Sequence, residues 1–385
     1  MLWACSVVVV LLLAGATQAG AAPADRPIPE DAALDRALQR LVTMPGGPPG
    51  VISVVQRDRD VEVHAAGVSE LGRPRLPKKN DAMHIASTAK AFNGAVALSL
   101  VERGALGLDD TIGARRPDLP VAWHAVSVRQ LLGHTSGVPD LLDNPATGEA
   151  ILASPGVAPP PRQLIDFVAD EPLRFPPGSR YQYSNTDNIV VGLIVETVTA
   201  RSYERALEHE VLRPLRLHHT SLPAGPELPR PFLHGYDIDE AGGPPEDVSL
   251  LVAGGWSWAS GGIVSTPSDL NAFVRGYVGG ELFGPRVIAE QARFVEGSSE
   301  PPGPGRNMAG LGLFQYDTRC GTVFGHTGNT FGYTQFMAAS RDGRRSVTMS
   351  ISVQRTQNSQ GRDAEVFAAL RAAEEDAVCA ALARP

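Results

Sequence analysis

Residues 323–353 decide the fold class, and they read VFGHTGNTFGYTQFMAASRDGRRSVTMSISV. Three segments of strand length follow one another there, Val323–His326, Tyr333–Ser340 and Ser346–Val353. Asp342-Gly343 separates the last two segments, and this dipeptide is typical of a tight hairpin turn. Short apolar and β-branched segments bounded by such turns predict strands. The stretch therefore predicts three successive strands.

Two more strands are predicted near the other end of the chain, at Gly50–Gln56 and Val61–Val68. Apolar residues at helical spacing predict a helix before them, Asp31–Val42, and another near the C-terminus, Asp363–Ala381. Two small separate sheets would be poorly supported, so we expect one antiparallel sheet built from both ends and flanked by these helices. The mainly helical middle is then an inserted subdomain, and the fold class is α/β in the α+β sense. The expected boundaries are residues 22–85 and 300–385 for the sheet subdomain and 86–299 for the helical one.

The composition is that of an ordinary globular chain. Of the 385 residues, 43% are hydrophobic and 20% are charged, which excludes a disordered chain and a multi-pass membrane protein. The formal net charge of −8 provides no basic footprint, so no nucleic-acid partner is expected. Among 34 cationic residues, lysine occurs only at positions 78, 79 and 90. A lysine beside a candidate nucleophile is therefore informative.

The N-terminus has the pattern of a secretory signal peptide. Residues 6–14 form an apolar run that is too short to span a bilayer, and an Ala-x-Ala pattern occurs at Ala19-Gly20-Ala21. We expect residues 1–21 to be removed and residues 22–385 to be secreted without a membrane anchor. No Lys or Arg precedes the apolar run, and a buried first strand or helix is the alternative.

The cysteine positions allow one disulfide. Cys5 lies in the expected signal peptide, which leaves Cys320 and Cys379. An exported chain can form disulfides, and this pair would tie the C-terminal helix to a strand near Cys320. Two free buried thiols are the alternative. Two cysteines this far apart predict no metal site.

The strongest local signal for chemistry is Ser87-Thr88-Ala89-Lys90, at the start of a helix predicted over Ala86–Leu106. Residues three apart lie on one helical face, so the Lys90 ammonium is expected beside the Ser87 hydroxyl. A serine hydroxyl is a weak nucleophile at neutral pH and requires a base or electrostatic help. Free N–H groups at a helix N-terminus also point to where an oxyanion would form. The alternative is an N-capping serine with an unrelated lysine.

Two further triplets carry groups that would complete a site. Tyr183-Ser184-Asn185 lies in an extended connection, so its phenol and amide point the same way and can act on one substrate. A phenol has a pKa of about 10, so proton transfer by Tyr183 requires a nearby cation such as Lys90. His326-Thr327-Gly328 falls at the end of a predicted strand, where glycine permits close approach of a ligand. Taken separately, the triplets also fit a helix cap and a plain turn.

In this order, the three motifs resemble the signature of the penicillin-recognising serine hydrolases, the family of the serine β-lactamases and D-alanyl-D-alanine carboxypeptidases. The stretches Leu131–Gly137 and Ser260–Leu270 are similar to two further stretches of that family. Tyr183 and His326 are the variants typical of class C β-lactamases, carboxypeptidases and related esterases. The likeness extends from about residue 30 to residue 380, and it is closest to the secreted actinomycete DD-peptidases.

The resemblance implies a role for each matching residue. Ser87 is acylated, while Lys90 and Tyr183 share the proton transfer. Asn185 holds the substrate amide, and backbone N–H groups hold the oxyanion. The remaining positions are His326, Thr327 and Gly328 along the strand where the substrate lies, Asn329 with Ser87 for the oxyanion, and Trp256 on the cleft wall.

Two positions depart from the pattern of the secreted DD-peptidases. Asn329 stands where threonine follows the His-Thr-Gly motif. Phe314 stands where an arginine helps to hold the terminal carboxylate of the substrate. The second difference weakens the expectation of carboxypeptidase activity, although it leaves the acylating groups intact.

The resemblance predicts a secreted, monomeric serine hydrolase that forms an acyl-enzyme and requires no metal or organic cofactor. The first expectation is removal of the terminal D-alanine from peptidoglycan stem peptides, with a small peptide or a β-lactam as ligand. A β-lactamase or a carboxylesterase of the same fold is the alternative within the family. A catalytically silent relative that binds cell-wall fragments is the alternative from another class, and the intact Ser87, Lys90 and Tyr183 oppose it.

Overall fold

The computed structural model describes residues 29–239 and 243–383, so the expected signal peptide and Cys5 lie outside the described residues. The helices are α1 (Pro29–Thr43), α2 (Ala89–Glu102), α3 (Ile112–Arg115), α4 (Val128–Leu132), α5 (Pro145–Ala153), α6 (Pro161–Leu164), α7 (Asn185–Thr199), α8 (Tyr203–Leu207), α9 (Trp258–Gly261), α10 (Pro267–Gly279), α11 (Pro285–Gln291) and α12 (Gly361–Leu382). The strands are β1 (Gly50–Arg57), β2 (Asp60–Gly67), β3 (Met83–His84), β4 (Tyr236–Asp237), β5 (Glu246–Asp247), β6 (Val264–Ser265), β7 (Val295–Glu296), β8 (Arg306–Ala309), β9 (Phe314–Thr318), β10 (Gly321–Thr330), β11 (Tyr333–Ala339) and β12 (Arg345–Ile351).

Eight strands form one sheet in the order β2-β1-β12-β11-β10-β9-β8-β7. Every neighbouring pair in this sheet is antiparallel, and β1 lies between β2 and the last strand of the chain, β12. The prediction of one antiparallel sheet built from both ends is therefore confirmed. Strands β7, β8 and β9 lie outside the predicted strands. They have only two to five residues each, and their charged and amide side chains interrupt the alternation of apolar and polar residues that predicts a strand.

The two faces of the sheet pack against different helices. Along β12, Val347 and Met349 enter a core that they share with residues of α1 and α12. Ser346 and Thr348 point to the other face, where they hydrogen-bond to α10. This alternation follows from the two-residue period of a strand. The sheet thus lies between the terminal helices and α10.

Cys320 and Cys379 form a disulfide, which is the first of the two alternatives expected from the sequence. Cys320 lies in the turn between β9 and β10, and Cys379 lies in the last part of α12. The bond therefore ties the C-terminal helix to the sheet, on the face opposite α10.

Cys379→Ser is expected to lower the free energy of unfolding by about 4 kcal/mol, because the cross-link restricts the unfolded chain. The two cysteines are separated by 59 residues in the sequence. Urea unfolding of the oxidised proteins measures the difference. Dithiothreitol should bring the wild type to the level of the variant and leave the variant unchanged. Equal stability of the two oxidised proteins would contradict the prediction.

Within the described ranges, none of the helices is both long and apolar enough to cross a membrane. Export of the chain remains a prediction.

Candidate active site

Ser87 lies in a 3-10 turn, Ala86–Thr88, directly before α2. The helix predicted from residue 86 thus begins a few residues later, at Ala89. Ala86 has a φ of +50°, in the left-handed region that is unfavourable for a residue with a Cβ. Thr88 Oγ1 donates to the carbonyl oxygen of Ile85 at 2.6 Å and holds this turn. The half-buried Ser87 therefore sits on a fixed corner before the helix.

Lys90 lies beside Ser87, as the spacing of the two residues predicts. Its Nζ donates to Ser87 Oγ at 3.0 Å, to Asn185 Oδ1 at 2.7 Å and to the carbonyl oxygen of Ser260 at 2.8 Å. Lys90 is 1% exposed. Burial lowers the pKa of its ammonium to about 7, although neighbouring carboxylates act in the opposite direction. A substantial fraction of Lys90 is therefore a neutral amine at neutral pH, and this amine can accept the Ser87 proton.

Tyr183 lies beside Lys90 and close to Ser87. Its ring centre is 5.0 Å from Lys90 Nζ, and the ring stacks on His134 with a centroid distance of 4.6 Å. Burial raises the pKa of the Tyr183 phenol well above its usual range, and the nearby Ser87 lowers it only in part. The phenol oxygen has no hydrogen-bond partner among the described residues. The phenol is therefore protonated, which suits it to donate a proton to a leaving group.

A buried hydrogen-bond network supports His134, the ring on which Tyr183 stacks. His134 Nδ1 is 3.1 Å from Asp187 Oδ2, and Ser136 Oγ donates to Asp187 Oδ1 at 2.5 Å. The backbone N–H of Ser184 donates to His134 Nδ1 at 3.3 Å. Burial raises the pKa of Asp187 well above its usual range and lowers the pKa of His134 well below its own. The pair therefore favours one shared proton and no net charge, and it fixes the ring against which Tyr183 stacks.

Asn185 is the first residue of α7. Its side-chain amide forms hydrogen bonds with two other residues of the protein. The oxygen accepts from Lys90 Nζ, and Nδ2 donates to Asp140 Oδ2 at 2.8 Å. The backbone N–H of Asn185 donates to the same carboxylate oxygen at 3.0 Å. An amide nitrogen carries two N–H groups, so one remains for a substrate carbonyl. The hydrogen bond of Asn185 to Lys90 orients the amine, and the role of Asn185 toward a substrate stays a prediction.

His326 and Thr327 lie within β10 and pair with Met337 and Phe336 of β11. The prediction of a strand end at His326 is therefore wrong, because the antiparallel ladder continues to residue 330. Burial lowers the pKa of the His326 imidazole to about 3, so the ring is neutral. Thr327 Oγ1 donates to the carbonyl oxygen of Pro301, which ties the strand to the loop beside the site.

At Gly328, the backbone of β10 passes very close to the backbone of the Ser87 turn. A Cβ at this position would lie 2.7 Å from the backbone nitrogen of Ser87 and 2.9 Å from that of Thr88. Only glycine permits this approach. The next residue, Asn329, accepts a hydrogen bond from Gln354 Nε2 at 3.0 Å. The residues expected to form the oxyanion site, Ser87 and Asn329, thus lie on backbone segments in contact.

Trp256, which the resemblance places on the cleft wall, is mostly buried, and its place beside a substrate stays a prediction. The residue is 5% exposed. Its indole Nε1 donates to the carbonyl oxygen of Ser154 at 3.0 Å, and its ring lies 6.4 Å from that of Phe167. Trp256 thus packs beside Phe167 and hydrogen-bonds to the exposed Ser154.

Three acidic residues near Lys90 are not predicted from the sequence: Asp140, Asp187 and Glu300, whose charged forms raise the pKa of its ammonium. Asp187 lies two residues after Asn185 in the first turn of α7, so the Tyr-Ser-Asn motif could have indicated it. Asp140 follows the Leu131–Gly137 stretch by three residues. Glu300 lies in a loop far from every motif, and nothing in the sequence pattern singles it out.

The rate of acylation is expected to follow the protonation of Lys90. The neutral amine is the reactive form, so kcat/KM should rise about tenfold per pH unit below pH 7 and level off above it. Stopped-flow acylation by a chromogenic cephalosporin between pH 5 and 9 measures the profile. Tyr183→Phe should lower the plateau without moving its midpoint. A midpoint near the ordinary lysine value, about 10, would contradict the assignment.

The chain is similar to known proteins over most of its length. The family model described as Beta-lactamase matches residues 34–373. The crystal structure of a D-stereospecific amidohydrolase from Streptomyces sp. is 29% identical, with a TM-score of 0.74 over 84% of this chain and 94% of that one. The D-amino acid amidase from Ochrobactrum anthropi SV3, in complex with L-phenylalanine amide, has a TM-score of 0.77 over 90% and 98% of the two chains. At 21% identity, this second likeness shows the fold alone.

A curated relative is the penicillin-binding protein 4* of Bacillus subtilis (strain 168), which is 28% identical over 181 residues, or 46% of this chain and 39% of that protein. The chain thus spans about two fifths of the length of the curated relatives it matches. The family match covers most of the chain, and the convergence of Ser87, Lys90 and Tyr183 agrees with it. The chain therefore belongs to the beta-lactamase family of serine hydrolases.

Proposed function

We propose that this protein is an amidohydrolase that transfers the acyl group of a D-amino acid residue first to Ser87 and then to water. The observation that carries the proposal is the Lys90 amine, 3.0 Å from Ser87 Oγ and with a pKa of about 7. A base with this pKa works at neutral pH. The 29% identity with a D-stereospecific amidohydrolase supports the substrate class.

The steps follow from the contacts of the two groups. Lys90 accepts the proton as Ser87 Oγ attacks the amide carbonyl carbon and forms the C–O bond. The C–N bond then breaks, and the leaving nitrogen takes a proton from the Tyr183 phenol, which Lys90 replaces. In the second half, water attacks the ester carbonyl carbon and gives one proton to Lys90. The ester C–O bond then breaks, Ser87 Oγ takes that proton from Lys90, and the carboxylic acid is released. Backbone N–H groups at Ser87 and Asn329 are proposed to stabilise the oxyanion in both halves.

Acidic groups around the site favour a substrate with a free amino group. Glu300 lies in the loop that Thr327 holds through Pro301, and its side chain is partly exposed and partly buried. Burial of its carboxyl and the nearby charge of Asp140 both raise the pKa of Glu300. A substrate ammonium would relieve this repulsion between the two carboxylates. We therefore favour D-amino acid amides, or peptides that begin with a D-residue, as substrates.

D-Alanyl-D-alanine carboxypeptidase activity on peptidoglycan stem peptides is the second candidate. The sequence resemblance and the likeness to penicillin-binding protein 4* support it. Its substrate ends in a carboxylate, which requires a cation. The expected arginine position holds Phe314, a buried ring 4.9 Å from that of His326. The acidic groups and this phenylalanine both disfavour a terminal carboxylate.

A panel of four substrates tests the proposal. It contains D-alanine p-nitroanilide, a diacylated Lys-D-Ala-D-Ala peptide, a chromogenic cephalosporin and a p-nitrophenyl ester. The anilide should have the highest kcat/KM and its L-enantiomer a much lower one. Faster turnover of the peptide would establish the carboxypeptidase, and faster turnover of the cephalosporin or the ester would establish those activities instead. Failure of a labelled penicillin to add mass at Ser87 would favour a silent binding protein.

Glu300→Gln is expected to lower kcat/KM for D-alanine p-nitroanilide about tenfold, the effect of losing roughly 1.4 kcal/mol of attraction to the ammonium. The N-acetylated anilide has no such charge, so its kcat/KM should be unchanged when both proteins are measured at about pH 8.5, where Lys90 is neutral with or without Glu300. The matched control is Glu296→Gln, at an exposed position of β7. An equal decrease with both substrates would mean that Glu300 supports the loop and does not recognise the amino group.

A further inference from the structure

A second cluster of charged side chains lies at the edge of the sheet, remote from Ser87. Three strands separate its strand, β2, from β10. Asp31 lies in the first turn of α1, and Glu62 and His64 lie two residues apart on one face of β2. One ligand atom from each of these three side chains lies within 4.8 Å of the other two. The cluster thus joins the first helix to the outermost strand.

One nitrogen in this cluster has no partner. His64 is 7% exposed, and its Nε2 is buried without a hydrogen bond among the described residues. The nitrogen is 3.9 Å from Asp31 Oδ1 and 3.8 Å from Glu62 Oε2. Both distances are too long for a hydrogen bond. His64 Nε2 is thus a buried nitrogen that faces two carboxylates without bonding to either.

The other nitrogen of His64 is held by the protein. Its Nδ1 is 2.8 Å from Asp35 Oδ1, and Asp35 lies one helical turn after Asp31. A carboxylate at Nδ1 accepts the N–H there and leaves the lone pair of the neutral ring on Nε2. Histidines that bind metals are held in this way by a carboxylate on the remote nitrogen. With Nδ1 donating to Asp35, a metal ion bound at Nε2 would lie between Asp31 and Glu62.

The spacing fits zinc. Zinc bonds to histidine nitrogen and carboxylate oxygen are about 2.0–2.2 Å long and tetrahedral, so neighbouring ligand atoms are about 3.4 Å apart. The two distances from His64 Nε2 need to shorten by only about 0.5 Å. Calcium requires six to eight oxygen ligands, and this cluster offers a nitrogen and few oxygens. A solvent molecule would complete the fourth position.

The charge of the cluster also fits a divalent cation. Arg57 bridges Asp31, at 2.9 Å, and Glu62. It also donates to the carbonyl oxygen of Ala380 at 2.8 Å, which fixes the guanidinium. Three carboxylates and one guanidinium leave a net charge of −2 when His64 is neutral. One Zn²⁺ neutralises it, and Arg57 keeps the two carboxylates facing His64.

We propose that Asp31, Glu62 and His64 bind one zinc ion, which clamps α1 to the edge strand β2. The site is structural and separate from the acylation chemistry, for which no metal is expected. Its occupancy should therefore change the stability of the fold and leave the rate of acylation at Ser87 unchanged.

Calorimetric titration of the untagged, chelator-treated full chain with zinc chloride tests the proposal. We expect one zinc per chain and a rise in the melting temperature when zinc is present. His64→Gln should weaken binding about 100-fold or more and remove the rise, and Asp35→Asn should weaken binding about 10-fold. His218→Gln, at an exposed histidine, is the matched control and should bind like the wild type.

Acylation by a labelled penicillin checks that the His64→Gln chain is folded, because that reaction occurs at the remote site. If that variant does not react, circular dichroism of Asp35→Asn and its zinc affinity take its place. Absence of zinc binding to the wild type would overturn the proposal. Equal zinc affinity of His64→Gln, or loss of binding in His218→Gln, would place the ion elsewhere and would overturn it as well.

Discussion

Lys90→Met is expected to lower the rate of Ser87 acylation by about 10⁴-fold, the upper range for loss of a general base. The lysine amine is the base within hydrogen-bond distance of Ser87 Oγ. Methionine has a similar length and no charge, so it fills the same buried space. Its burial also avoids the desolvation that lowers the pKa of the ammonium, and the variant should remain folded. Intact-protein mass spectrometry after incubation with a labelled penicillin measures the rate.

The other lysines provide a control for this substitution. Lys79→Met changes an exposed lysine and should leave both the rate and the melting temperature unchanged. Ser87→Ala should eliminate the adduct completely, which shows that the label reports on this hydroxyl. A folded Lys90→Met chain that reacts at the normal rate would show that another group accepts the proton. If Lys90→Met unfolds, Lys90→Gln tests the same base with a polar side chain.

Gly328→Ala is expected to lower the acylation rate by about 10²- to 10³-fold, the effect of losing one oxyanion donor. The new methyl group would lie 2.7 Å and 2.9 Å from the backbone nitrogens of Ser87 and Thr88, and 3.0 Å from the carbonyl oxygen of Ile85. All three are main-chain atoms, so β10 or the Ser87 turn must shift. The shift separates the two N–H groups proposed to hold the oxyanion. The rate of acylation by a chromogenic cephalosporin measures the effect.

Gly148→Ala is the matched control, because a Cβ at this position of α5 meets no atom within 4 Å. This variant should react like the wild type. Restoration of part of the lost rate with a more reactive acyl donor is consistent with an oxyanion defect in Gly328→Ala. Normal acylation by the folded Gly328→Ala chain would show that the oxyanion site does not depend on the contact between β10 and the turn.

The parts of the site that the sequence predicts are those that depend on local spacing. Ser87 and Lys90 are three residues apart, and the structure places their side chains in contact. Tyr183 and Asn185 are two apart, and both lie against Lys90. The order of the motifs then identifies the family. The strand end that the sequence predicts at His326 is wrong, because a local pattern does not show that β11 continues to pair with β10 beyond this residue.

The groups that sequence reasoning missed act across long separations. Glu300 lies beside Lys90 only because the loop before β8 folds over Thr327. Trp256 contacts Ser154 and Phe167, which lie about 90 to 100 residues earlier in the chain. His64 and Asp31 are brought together by the packing of α1 on β2. No periodic pattern in the sequence predicts these contacts.

The sequence by itself determined the antiparallel sheet built from both ends, the family, and the serine with its lysine one turn away. Hydrophobic period predicts the individual strands, and the poor stability of small separate sheets predicts that they join. The short spacing of Ser87 and Lys90 places the lysine beside the serine. The tertiary structure decided the pKa of Lys90, the carboxylates around it and the close contact of Gly328 with Ser87. Desolvation and charge depend on every element packed around a group, and such elements come from distant parts of the chain.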